Sequence, residues 1–74
     1  MTAAEREELA REALRELADP SQVGELLSAV VEGDGVFTLR FAPSLLGYPG
    51  WVWTVSLAEL PGESPTVLET EQLP

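Results

Sequence analysis

The stretch GYPGWVWTVSLAEL, residues 47–60, decides the fold. Gly47, Pro49 and Gly50 supply a turn, and the residues from 51 to about 59 then read as a strand. Trp51, Trp53, Val55 and Leu57 alternate with Val52, Thr54, Ser56 and Ala58, the period of two that a β-strand imposes. β-branched and aromatic side chains fill the run, as they fill pleated, partly buried surfaces. Both tryptophans of the chain fall on one row, which places this strand centrally and makes it the main contributor to the core.

Working outward, Gly33, Asp34 and Gly35 form a hairpin signal between strands expected at 25–32 and 36–42. Phe37, Leu39 and Phe41 share one face of the second of these, with Thr38 and Arg40 on the other. Residues 22–31 would fit a short amphipathic helix almost as well, and the turn behind them decides for a strand. Downstream, PGESP at 61–65 reverses the chain into a last strand at 66–73, where Glu69 and Glu71 suit an exposed edge.

Upstream, Thr2 and Glu5 stand at capping-box spacing before a run of strong helix formers at 3–18. Leu9, Ala10, Ala13, Leu14 and Leu17 gather on one arc of that helix with Ala3. Glu8, Arg11, Glu12, Arg15 and Glu16 take the opposite arc, with Glu7–Arg11 and Glu12–Arg15 spaced to pair. Asp19–Pro20 should end it. The thin apolar stripe leaves two alternatives open, packing on its own sheet or on a neighbour. The reading is α+β: one domain, 1–74, with an N-terminal amphipathic helix and a four-stranded, mostly antiparallel β-meander.

A chain of 74 residues is hard to stabilise alone, because a small domain buries too little of its surface. Cysteine and histidine are absent, which removes disulfides and the usual zinc, haem and iron–sulfur sites. Association with itself or a larger partner is the remaining staple. The formal charge of −9, from thirteen acids against four arginines, argues against nucleic acid and anionic membrane surfaces as partners. No apolar run reaches membrane-span length, and the N-terminus lacks a signal-peptide layout, so a cytoplasmic site of assembly is expected. Lys, Ile and Asn are missing while Ala, Glu, Leu and Arg abound, the bias of a high-GC genome such as that of an actinobacterium or its virus.

Catalysis has little to work with. With no His, Cys or Lys, a general base would have to be a carboxylate, and Glu59 with Glu63, or Glu69 with Glu71, are the pairs on offer. Carboxylates in turns and on edge strands are ordinarily solvated surface. The glycines at 47 and 50 precede a strand and not a helix, so they do not form a phosphate loop. A non-catalytic protein without cofactor or metal is expected. Its candidate partner-binding residues are Leu45, Leu46, Tyr48 and Trp51, a loop and an aromatic anchor of the kind enriched at interfaces. For Trp51 the alternative is a place in the core beside Trp53.

The run from Gly47 through Tyr48, Gly50, Trp51, Trp53 and Val55, with Thr66, Val67, Leu73 and Pro74, resembles an uncharacterised actinobacterial conserved domain family. Its mark is a Gly-Tyr-x-Gly-Trp-x-Trp-x-Val strand. Short proteins of actinobacteriophage head gene clusters are similar. The likeness spans roughly 23–74 and supplies no catalytic residue. It implies a capsid decoration (cement) or minor capsid accessory protein on the exterior of the virion, bound to the major capsid protein and to copies of itself. The alternative is a small cytoplasmic adaptor or regulator of an actinobacterium.

Overall fold

The computed structural model describes residues 1–44 and 50–74. Thr2 opens the helix α1 (Ala3–Leu14): its hydroxyl accepts the Glu5 N–H at 3.1 Å, and the Glu5 carboxylate accepts the Thr2 N–H at 2.8 Å. Two amides without intrahelical partners are satisfied reciprocally. The helix stops four residues short of the expected end at Ala18. The Glu16 and Leu17 amides bond to carbonyls three residues back, at 3.3 and 3.0 Å, so the last turn tightens. It leads into an extended Asp19, the conformation that Pro20 demands. A single 3-10 turn (Pro20–Gln22), capped by the Asp19 carboxylate on the Ser21 N–H at 3.0 Å, then launches the sheet.

Four antiparallel strands follow in chain order, β1 (Val23–Gly33), β2 (Val36–Pro43), β3 (Val52–Ala58) and β4 (Thr66–Leu73). The α+β meander read from the sequence is therefore the fold, and of residues 22–31, ambiguous in the sequence, all but Gln22 join β1. Asp34 and Gly35 connect β1 to β2 with φ of 49° and 78°, the left-handed pair a two-residue hairpin needs. Gly35 is also required by space. A Cβ there would stand 2.3 Å from the Glu59 carbonyl oxygen, and its own carbonyl accepts the Glu59 N–H at 2.8 Å.

β2 and β3 pair without interruption from Val36↔Ala58 to Phe41↔Trp53. Irregularities are confined to the outer strands, around Gly24–Glu25, at Leu27 and at Glu32 in β1 and at Leu68 in β4. Outer strands are where bulges concentrate. α1 lies on the face of its own sheet, which settles the alternative the sequence left open. Ala10 and Leu14 bury completely against Leu39, Phe41, Val55 and Leu57, with Trp53 beside them. Burying side chains of this size contributes about 1.5–3 kcal/mol each, so these few residues carry most of the fold. Trp53 also donates its Nε1–H to the Gln22 carbonyl at 3.0 Å, tying β3 to the start of β1.

Arg6 clamps the other end of the helix. Its Nε and Nη2 donate to the Glu59 carboxylate, Nη2 also reaches the Met1 carbonyl at 3.2 Å, and its guanidinium lies 4.0 Å over the Phe37 ring. Arg11 pairs with Glu7 at 2.9 Å, as the spacing suggested, and covers Phe41 at 4.7 Å. The Glu12–Arg15 pair is not formed. Glu12 instead faces β4, where it rims a groove with Glu16.

Trp51 corrects the reading of the tryptophan row. β3 begins one residue later, and Trp51 is 43% exposed while Trp53 is buried. The register gives the reason. Extending the pair Phe41↔Trp53 by two steps and Val52↔Leu73 by one puts Pro43 and Pro74 on either side of Trp51. Neither proline has an N–H to offer, so the ladder ends and the side chain leaves the core.

Candidate interaction surface

Of the four residues expected to bind a partner, Leu45, Leu46 and Tyr48 lie outside the described residues. Trp51 is described and stands exposed at one end of the sheet, with Leu73, also part-exposed, on the adjoining end of β4. The carboxylates considered for catalysis are not brought together as a working pair. Glu59 is committed to Arg6, Glu63 is exposed in the turn before β4, and Glu69 and Glu71 lie in the exposed outer strand. Among the described residues no three His, Cys, Asp or Glu side chains are grouped to hold a metal ion.

The most unusual surface is one the sequence reading passed over. β1 is an edge strand of 11 residues, and from Ala29 to its end every residue is exposed. Ala29 and Val31 lie opposite Leu39 and Phe37, on the helix face, whereas Val30 lies opposite Thr38 on the other. Apolar side chains are therefore open on both faces of the same few residues. Leu27 is 53% exposed, Val30 41% and Val31 66%. The pairing from Ser28 to Val31 runs regularly with β2, between irregularities at Leu27 and at Glu32. Between Glu25 and Glu32 the strand carries no charge at all.

A regular, uncharged, apolar edge is a template for pairing with another strand. The sequence held a signal for it, because the first strand of a meander is always an edge and LLSAVV is an uncharged, β-prone run. On the neighbouring open face Ser28, Arg40, Thr54 and Glu71 form one cross-strand row. Thr54 is buried, and its Oγ1 has no hydrogen-bond partner among the described residues.

Two carboxylates have clear electrostatic surroundings, and both are local caps. The Thr2 backbone N–H, then its hydroxyl, holds Glu5 below the ordinary carboxylate range, and Ser21 does the same for Asp19. No helix among the described residues is long and apolar enough to cross a membrane.

Residues 24–74 match the DUF3027 family, a protein of unknown function. Uncharacterised proteins of Mycobacterium tuberculosis and Mycobacterium bovis are 36% identical over 66 residues, which is 88% of this chain and 25% of theirs. The chain thus spans a quarter of the length of these curated relatives. No solved structure matches it.

Proposed function

This chain belongs to the DUF3027 family, and we propose that it is a non-catalytic module that binds a protein partner by strand addition along β1. The observation that carries this is the Ser28–Val31 stretch of β1: regular pairing on its inner side, with exposed Val30 and Val31 directed to opposite faces. An added strand gains main-chain hydrogen bonds for affinity, and alternate side chains on its two faces give specificity. The exposed Trp51 is a second anchor at the far end of the sheet, reached by the same partner or by another.

The relatives are themselves uncharacterised bacterial proteins, and we read the chain as an actinobacterial adaptor ahead of a phage-head decoration protein. Stoichiometric recovery in purified virions would reverse that order. The test of strand addition is co-purification from the native host with wild type, Val30→Lys and Glu71→Gln. The account expects a stoichiometric protein partner held by wild type and Glu71→Gln and lost by a folded Val30→Lys. A partner retained by Val30→Lys would remove β1 as the contact.

A further inference from the structure

One helix does not cover this sheet. Four strands set about 4.8 Å apart make a surface roughly 19 Å wide, and a helix with its side chains is about 10–12 Å across. The fully buried sheet residues under α1 all come from β2 and β3, so the helix sits over the centre. On the β4 side it leaves a groove of about 350 Å³ lined by Leu9, Ala13, Val67 and Thr70, with Glu12 and Glu16 on its rim.

Charge is divided across the helix. Toward Phe41 lies Arg11, already paired with Glu7. Toward β4 lie Glu12 and Glu16, which make no ion pair among the described residues.

We infer that the groove between α1 and β4 receives a basic amphipathic helix from a protein partner. A second helix laid beside α1 would complete the layer at the usual spacing of 8–10 Å. Its apolar side chains would fill the space over Val67 and Thr70 beside Leu9 and Ala13. Glu12 and Glu16, one turn or about 6 Å apart, would meet Lys or Arg one turn apart on the incoming helix. A strand has no matching place there, because the groove is walled by a helix and floored by a sheet face. This site is separate from the β1 edge and stands or falls independently of it.

The experiment is a backbone-amide NMR titration of the whole chain with a synthetic amphipathic peptide carrying leucines on one face and lysines flanking them. A second peptide has each lysine replaced by glutamate. Shifts centred on Leu9, Ala13, Val67 and Thr70 with the lysine peptide, and none with the glutamate peptide, support the inference. The Glu12→Gln/Glu16→Gln variant, whose fold is checked by its own spectrum, should bind the lysine peptide roughly tenfold more weakly, as two partly exposed ion pairs would give. Equal binding of both peptides, unchanged affinity in the variant, or shifts centred on β1 would overturn it. So would concentration-dependent shifts at the groove without peptide, which would make the occupant a second copy.

Discussion

β1 and β4 are both outer strands of one sheet, and they treat their free backbone in opposite ways. β4 carries Glu69 and Glu71, breaks its ladder at Leu68, and lies beside a groove rimmed by two more carboxylates. β1 is the more irregular of the two, around Gly24–Glu25, at Leu27 and at Glu32, but between the last two it presents Ser28 to Val31 as an uncharged stretch with valines exposed on both faces. Charge is one way a sheet discourages accidental pairing. The difference between the edges is therefore one of charge and exposed apolar side chains, and on the proposed reading β1 is the edge that pairs and β4 the edge that does not.

The comparison can be broken most strongly at the turn that holds β1 in place. Gly35→Ala forces a Cβ against the Glu59 carbonyl at a residue with φ of 78°, and should cost about 3 kcal/mol in chemical denaturation. Gly33→Ala, with nothing near its Cβ, should cost about 1 kcal/mol from its φ of 107° alone. Equal losses would mean that the close approach to Glu59 is not what fixes the hairpin. Arg6→Ala comes next at about 1–2 kcal/mol, since it removes a part-buried charged hydrogen-bond pair and the cover over Phe37. A loss no larger than that of an exposed glutamate would show the clamp to be ornamental.

Substitutions on the edges themselves sharpen the comparison without unfolding anything. Val30→Lys should change stability by no more than about 0.5 kcal/mol, because the side chain is exposed, while removing strand addition. Glu69→Val with Glu71→Val should do the reverse, giving β4 an apolar edge and bringing concentration-dependent association in sedimentation. The smallest effect is on pH. Glu5 and Asp19 are held below their ordinary values by their caps, so their contribution is complete above the ordinary carboxylate range. It is lost as pH falls through the lowered folded values. Carboxyl titration by NMR should place both midpoints low, and Thr2→Ala, which removes the hydroxyl and keeps the backbone N–H, should raise Glu5 only part of the way and leave Asp19 unchanged.

Most of this architecture was legible in the chain because local and global signals agree. The capping box at Thr2, the Asp34–Gly35 turn and the alternation after residue 51 each have one sterically favoured outcome. Three features were not read. The helix end depended on how Asp19–Pro20 shaped the turn before it, and not only on where helix formers stop. Trp51 left the row because Pro43 and Pro74 flank it, and that pairing is visible only once the register is known. The open edge of β1 went unread because attention followed the aromatics, while Leu27, Val30 and Val31 looked like ordinary core residues of a half-buried strand. Of the expected loop anchors, only Trp51 falls among the described residues, and it is exposed as a partner contact requires.

Amide hydrogen exchange, measured on the free chain and on the chain bound to its native partner, tests the central claim most directly. The account predicts that amides of residues 28–31 facing away from β2 exchange quickly alone and are strongly protected in the complex. Protection appearing on β4 with residues 28–31 unchanged would contradict it.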